Sequence, residues 1–205
     1  MSEWLLVRHG ETRWNAEQRV QGQTDIPMHE PGRRQIERTA ARLACHRFNA
    51  VYASDLSRVR ETADMIIEAS ESGPHDLRID PTLREMAFGK FEGMTRSEIE
   101  DANEGLDIFG PVHNLDYGPP GGESYRDLLD RCGPFAETLI RDHLDDDVLI
   151  VGHGAALRAL TVRLLAMPYD FFWALGGLAS GSISTIRLRR GRPTLAAWND
   201  TGHLV

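Results

Sequence analysis

The chain has 205 residues, of which 41% are apolar and 26% are charged, proportions typical of a globular α/β domain. A net charge of −8 argues against a nucleic-acid-binding protein, although a local arginine cluster can still bind a small anion. No apolar run reaches 18 residues and no basic segment precedes an apolar stretch at the N-terminus. We therefore expect no membrane span, no signal peptide and a cytoplasmic location.

Short apolar runs predict strands along the whole chain. The run "VLIV" at 148–151 is apolar at every position, which is typical of a strand covered on both faces. Six runs have the length and β-branched content of buried strands: Trp4–Val7, Ala50–Ala53, Leu77–Ile79, Val148–Val151, Ser182–Leu188 and Leu195–Trp198.

Helical periodicity fills the segments between these strands. Helices are predicted after Pro31, over 56–69, after a capping box of Thr95 and Glu98, from Glu123 through Pro134, and over 155–166. Alternating strands and helices predict an α/β fold, a three-layer α/β/α sandwich around a mainly parallel central sheet. We expect residues 1–205 to form a single domain.

Residues 88–122 do not fit this alternation, since they are rich in glycine, proline and aromatic residues. We interpret them as a small excursion over the ligand-binding edge of the sheet. Their aromatic side chains either form an apolar lid or pack the loop onto the core: Phe88, Phe91, Phe109 and Tyr117. The two cysteines, Cys45 and Cys132, match no metal-ligand spacing and are predicted to be reduced core thiols.

Polar residues follow three of the predicted strands. Arg8, His9 and Gly10 follow the first, Ser54 and Asp55 precede Arg58 after the second, and a Gly-His-Gly triplet at 152–154 opens the last helix. The carboxyl ends of parallel strands meet at one edge, where ligands bind. Arginine forks and a glycine-preceded helix start suit phosphate oxygens. A histidine beside such cations stays neutral and can attack phosphorus.

Two other interpretations of these residues stay open at this point. Each histidine alone is more often a satisfied structural residue than a nucleophile. A metal site built from His9, Glu11 and His153 is conceivable, but no pair of them has the spacing of a zinc site. The Gly-His-Gly triplet is no dinucleotide fingerprint, because Leu157 stands at the third glycine position.

Six blocks, in order, resemble the histidine phosphatase superfamily, in its phosphoglycerate-mutase-like branch. They are "VRHGETRWN" from 7, "RVQGQTD" from 19, "SDLSRVRETA" from 54, "LREMAFGKFEG" from 83, "PGGES" from 120 and "VGHGAALRAL" from 151. The resemblance implies that His9 is the nucleophile, and that Glu85 is the general acid. Arg8, Arg58 and His153 would hold the phosphoryl oxygens. Further residues implied to line the pocket are Asn15, Gln21, Gly22 and Gly154. The resemblance implies that the reaction needs no metal, and we expect no cofactor.

The segment "EMAFGKFEGMT" from Glu85 resembles the phosphatase branch more than the basic segment of mutases. The resemblance therefore implies a metal-independent phosphomonoesterase that forms phosphohistidine. Its expected substrate is a small phosphorylated metabolite, a sugar phosphate or a phosphoglycerate-type ester. A phosphoglycerate mutase, an α-ribazole phosphatase and, more remotely, a non-catalytic phosphate-ligand-binding regulatory protein remain alternatives. The sequence is compatible with a homodimer.

Overall fold

One six-stranded sheet organises the protein. The computed structural model describes residues 2–71, 76–102 and 114–205. The strands are β1 (Glu3–Arg8), β2 (Ala50–Ala53), β3 (Leu77–Ile79), β4 (Val148–Gly152), β5 (Ile183–Arg189) and β6 (Arg192–Asp200). Their order is β3-β2-β4-β1-β5-β6, with parallel pairing from β3 to β1 and antiparallel pairing at β5 and β6. The predicted strands and the mainly parallel sheet are confirmed.

The described ranges hold six α-helices, and all but the one-turn first helix occupy the predicted connections. They are α1 (Arg13–Ala16), α2 (Glu30–Leu43), α3 (Ser57–Glu68), α4 (Arg96–Ala102), α5 (Tyr125–Asp142) and α6 (Gly154–Leu164). The capping box before α4 forms, because Thr95 N–H donates to Glu98 and Glu98 N–H donates to Thr95 Oγ1. α5 begins with a second box, in which Ser124 and Asp127 cap each other. No helix in the described ranges is both long and apolar enough to span a bilayer.

Alternate side chains of β1 point to two separate apolar layers. Trp4 and Leu6 pack in a cluster with residues of α5 and α6, whereas Leu5 and Val7 pack in a cluster with residues of α2 and α3. This alternation follows from the two-residue period of a strand. Helices therefore cover both faces of the sheet, and the three-layer sandwich is confirmed. We propose that residues 1–205 form one domain, because all six strands share this sheet.

Three predictions of burial are wrong. β3 and β6 are the two edge strands of the described sheet: Ile79 of β3 is 41% exposed, and no residue of β6 is buried. Cys45 is exposed, because α2 ends at Leu43 and Cys45 lies in the turn that follows the helix. Cys132 does lie in the core as expected, and burial raises the pKa of its thiol to about 12.

The predicted excursion packs on the side of the sheet that α5 and α6 cover. Phe88, Phe91 and Ile99 are buried in the same cluster as those helices, and Tyr117 packs partly buried against it. Phe109 lies outside the described residues. The aromatic side chains that are described therefore anchor the excursion on the core. Phe88 also reaches the edge where the polar strand ends meet.

Candidate active site

The parallel pairing of β1 and β4 brings His9 and His153 together. Arg8 is in register with Gly152, and the N–H of His9 donates to the Gly152 carbonyl at 3.0 Å. Each histidine is the next residue after its strand, so the two imidazole ring centroids lie 5.1 Å apart, at an angle of 66°. Both side chains are buried, with 2% and 0% exposure. The strands thus act as rigid supports for the pair.

Local contacts fix the tautomer of His9. Its Nδ1 lies 2.8 Å from the carbonyl oxygen of Gly10 and must donate to it, since a carbonyl only accepts. Nε2 is then the nitrogen with a free lone pair in the neutral ring. Burial, and next the positive charges of Arg58 and Arg8, hold the pKa of His9 well below its ordinary value of 6.5. His9 is therefore a neutral, oriented imidazole near neutral pH.

His153 stands at the start of α6, as its N-cap residue. Its Nε2 lies 3.1 Å from Ser54 Oγ, while its buried Nδ1 has no hydrogen-bond partner among the described residues. Burial, and then Arg58, His9 and Arg8, hold its pKa well below 6.5. Such a buried polar atom without a partner is costly unless a ligand completes it.

Two arginines face the histidines. Arg58 is fully buried, and donates from Nη1 to the Thr24 carbonyl at 2.9 Å and from Nη2 to the Gly22 carbonyl at 2.8 Å. Arg8 Nη1 donates to the Leu178 carbonyl. The Nε atoms of both arginines are buried without a partner among the described residues. Both guanidinium groups therefore keep a donor for an anion.

Glu85 reaches the site from an irregular segment between β3 and α4. Its carboxylate accepts from the N–H groups of Met86 at 2.9 Å, Ala155 at 3.1 Å and Ala156 at 3.1 Å. The last two belong to the first turn of α6, whose positive dipole end favours an anionic group. Arg131 and Gln23 both donate to the Glu85 carbonyl, at 3.2 and 3.1 Å. The position of Glu85 is thus fixed through its backbone and side chain.

We call the space between these groups the histidine cavity. It measures about 170 Å³ and is lined by Arg8, His9, Asn15, Arg19, Val20, Gln21, Gly22, Arg58, Glu85 and Phe88. Seven of the nine predicted site residues are in this wall. His153 lies behind it against His9, and Gly154 lines an adjoining cavity with Arg8 and Glu85. Gln21 is held by a 2.8 Å bond from Thr12 Oγ1, and Asn15 Oδ1 accepts from the Thr12 N–H.

Two supporting residues, Ser54 and Glu92, were not predicted as site residues. Ser54 follows β2 at the strand edge and contacts His153, a position that the strand-end argument indicates. Glu92 accepts from the N–H groups of Gln23, Thr24 and Phe88, and so ties the excursion to the wall of the cavity. A side chain on Gly22 would collide with Glu92, since its Cβ would lie 2.1 Å from Oε1. Nothing in the local sequence distinguishes Glu92 from other loop acids.

The donor set suits a phosphoryl group. Two guanidinium groups with unpartnered Nε atoms can bind its oxygens, a neutral imidazole can attack phosphorus, and a carboxyl group adjoins the leaving side. Over the described ranges, no group of three or more His, Cys, Asp or Glu side chains is placed to hold a metal ion.

Comparison with known proteins agrees with this chemistry. A family model described as "Histidine phosphatase superfamily (branch 1)" matches residues 4–201. The chain belongs to this superfamily. An Arabidopsis thaliana metal-independent phosphoserine phosphatase is 34% identical, over 100% of this chain and 84% of its own length. Phosphoglycerate mutase-like protein 4 from the same plant is 32% identical, over 99% and 87%.

Solved structures share the fold over nearly the whole chain. A mycobacterial glucosyl-3-phosphoglycerate phosphatase in complex with VO3 superposes with a TM-score of 0.87 at 30% identity, covering 97% of this chain and 99% of that one. The predicted family and the predicted class of enzyme, a phosphoric monoester hydrolase, are confirmed by these relationships.

Proposed function

We propose that the protein is a metal-independent phosphomonoesterase in which His9 carries the phosphoryl group between substrate and water. The observation that carries this proposal is the state of His9. It is a buried, neutral imidazole whose Nδ1 donates to the Gly10 carbonyl, beside two arginines whose Nε atoms have no partner in the described ranges. Neither arginine forms a salt bridge with an acid in the described part of the chain, which is the arrangement that an anionic ligand completes.

The first half-reaction transfers the phosphoryl group to the enzyme. Arg8, Arg58 and His153 bind the phosphoryl oxygens, and Nε2 of His9 attacks phosphorus. The N–P bond forms as the bond from phosphorus to the ester oxygen breaks, and that oxygen takes a proton from the carboxyl group of Glu85, the general acid. The positive charges stabilise the oxygens throughout, which is the main contribution that a protein makes to phosphoryl transfer.

The second half-reaction returns the enzyme to its starting state. A water molecule gives a proton to Glu85 and attacks phosphorus, and the N–P bond breaks to release inorganic phosphate. Glu85 lines both the histidine cavity and the adjoining cavity, so one carboxyl group serves the leaving oxygen and then the water. Asn15, Gln21, Gly22 and the N–H of Gly154 complete the binding site.

The proposed substrate is a small phosphorylated metabolite, a sugar phosphate or a phosphoglycerate-type ester. The relatives' names support a small ester, since one acts on phosphoserine and another on glucosyl-3-phosphoglycerate. A cytoplasmic location and a homodimer stay predictions, as does the absence of nucleic-acid and membrane partners.

Hydrolysis of p-nitrophenyl phosphate in excess EDTA tests the chemistry. We expect turnover by the wild type, and a fall of at least about a thousandfold in His9→Ala, because no other group replaces the nucleophile. His46→Ala, outside the cavity, is the matched control and should keep the wild-type rate. Full activity of His9→Ala would remove the proposed nucleophile, and loss of wild-type activity in EDTA would point to a metal.

A mutase is the second candidate, and the 32% identical mutase-like relative favours testing it. Incubation with 3-phosphoglycerate should release inorganic phosphate without forming 2-phosphoglycerate. Rapid isomerisation would show a mutase instead. Binding of phosphate without any turnover would support the regulatory alternative, and a panel including α-ribazole phosphate would address the remaining phosphatase alternative.

A further inference from the structure

A second cavity adjoins the histidine cavity on the leaving-group side. It measures about 200 Å³ and shares Arg8, Glu85 and Phe88 with its neighbour. We call it the Arg158 cavity, because Arg158 contributes its remaining cation. Tyr125, Phe172 and Leu178 supply apolar wall. Since Glu85 lies between the two spaces, a phosphate ester bound in the first would extend its organic part into the second.

Arg158 forms no ion pair among the described residues, although the charge of Glu85 acts on it through space. Its guanidinium stacks on the Phe172 ring, with Cζ 4.8 Å from the centroid. Its Nε is buried without an acceptor, and within the described ranges no carboxylate or carbonyl forms an ion pair or a hydrogen bond with the side chain. A guanidinium that is desolvated and unpaired costs stability, so such a residue is retained where a ligand completes it.

The neighbouring arginines fall into two groups, those with paired and those with unpaired guanidinium nitrogens. Arg131 is also largely enclosed, but it pairs with Glu123 at 2.7 Å and donates to the carbonyls of Thr82, Arg84 and Glu85. Arg8 and Arg58 keep an unpartnered Nε, as Arg158 does. Arg158 thus resembles the two arginines proposed to bind phosphate rather than the arginine that supports the backbone.

We propose that Arg158 binds a carboxylate on the leaving group, so that the substrate is the phosphate ester of a small hydroxy acid or amino acid. This inference rests on the proposed function and names its substrate class. A carboxylate matches the planar fork of a single guanidinium, while Glu85 across the cavity disfavours a second, doubly charged phosphate.

Helix geometry places Arg158 beside the boundary between the two cavities. A Cβ built on Gly154 would lie 3.7 Å from both Arg8 Nε and Glu85 Oε2, so Gly154 marks the boundary between the two cavities. Arg158 follows four residues later in α6, which places it on the same face about 5–6 Å further along. The volume of about 200 Å³ fits a short carbon skeleton that carries the carboxylate.

Paired substrates that differ in one carboxylate test the proposal. The pairs are O-phosphoserine with O-phosphoethanolamine, and 3-phosphoglycerate with glycerol 3-phosphate. We expect the wild type to have the higher kcat/KM for the acid of each pair. In Arg158→Met the ratio of acid to non-acid should fall by about tenfold to hundredfold, as expected for loss of a charged hydrogen bond. Arg158→Lys should lie between the two.

Arg163→Met is the matched control. Arg163 lies on the same helix and stacks on Tyr169, with Cζ 5.4 Å from the ring centroid, but it does not line the cavity. This variant should keep the wild-type ratio. If Arg158→Met does not fold, Arg158→Lys provides the test, since it keeps the aliphatic stem and the charge but lacks the fork.

The outcomes separate this inference from the proposed function. A wild type that hydrolyses p-nitrophenyl phosphate but shows no preference for the acids would overturn the role of Arg158 alone. An Arg158→Met or Arg158→Lys variant that lowers kcat/KM equally for both members of a pair would assign Arg158 a structural role. A wild type inactive on every phosphate ester would overturn the proposed function itself.

Discussion

Two buried histidine sites lie at opposite ends of the same parallel strands. His143, near the amino ends of β1 and β4, has both ring nitrogens satisfied: Nε2 lies 2.9 Å from the Tyr52 hydroxyl, and Nδ1 lies 2.8 Å from Asp146. His153, at the carboxyl end, has no partner for Nδ1 among the described residues and lies near Arg8 and Arg58. Burial is the same for both, with 7% and 0% exposure.

The contrast shows that the hydrogen-bond partners of the ring nitrogens, rather than burial, distinguish a structural histidine from a functional one. The His143 site is closed, since Arg78 also donates to the Tyr52 hydroxyl and Trp4 donates to the His143 carbonyl. The carboxyl-end site keeps unsatisfied donors and cations, which are the groups that an anionic substrate needs. The following predictions test this difference, from the largest effect to the smallest.

Removing one arginine from each end should give the largest contrast in activity. Arg58→Ala should lower kcat/KM for p-nitrophenyl phosphate by about a hundredfold to a thousandfold, because a preorganised positive charge is lost from the transition state. Arg78→Ala, which removes the cation stacked on Tyr52, should stay within about threefold of the wild type. Similar losses of kcat/KM in both variants would contradict the assignment of a catalytic role to the carboxyl end and a structural role to the amino end.

Exchanging each histidine for glutamine should separate activity from stability. His153→Gln should lower kcat/KM by about a hundredfold with little change in the urea midpoint. His143→Gln should keep the activity but lose about 1–3 kcal/mol of unfolding free energy, because the Tyr52 hydroxyl and Asp146 lose a buried partner. Steady-state kinetics and urea unfolding of both variants test whether one substitution lowers activity and the other lowers stability. A His143→Gln enzyme that is inactive yet as stable as the wild type would contradict this separation.

The depressed pKa values of His9 and His153 predict how stability depends on pH. Both rings stay neutral in the folded chain below 6.5, where the unfolded chain takes up protons. The free energy of unfolding should therefore fall as the pH drops from 7 through 6.5 towards 5. Each histidine contributes up to about 1.4 kcal/mol per pH unit in this window. Urea unfolding should show a shallower fall for His153→Gln, and equal slopes would contradict the pKa assignment.

Much of this architecture is predictable from sequence because it depends on local periodicity. The apolar runs and helical stripes indicate the strands and helices, and polar residues after three strands indicate that His9, Arg58 and His153 meet. The burial of β3 is predicted wrongly because the local sequence does not determine the position of a strand in the sheet. A run of the same composition is buried in the centre of a sheet and exposed at its edge.

Other parts of the site depend on contacts between distant segments. Glu85 lies in an irregular loop, and only the family resemblance indicated its role. Its position is fixed by Arg131, 46 residues away, and by the start of α6, 70 residues away. Arg158 looks like an ordinary polar position of an amphipathic helix, and its lack of a partner is visible only once the surrounding walls are in place.

The central claim is that His9, at the carboxyl end of β1, forms a covalent phosphohistidine intermediate. Rapid quenching of the enzyme with 32P-labelled phosphoserine under alkaline conditions, followed by peptide mapping, tests it directly. The account predicts an acid-labile, alkali-stable phosphate on the peptide containing His9, present in the wild type and absent in His9→Ala. Label on the peptide containing His143 or His153, or full turnover without any labelled histidine, would contradict the account.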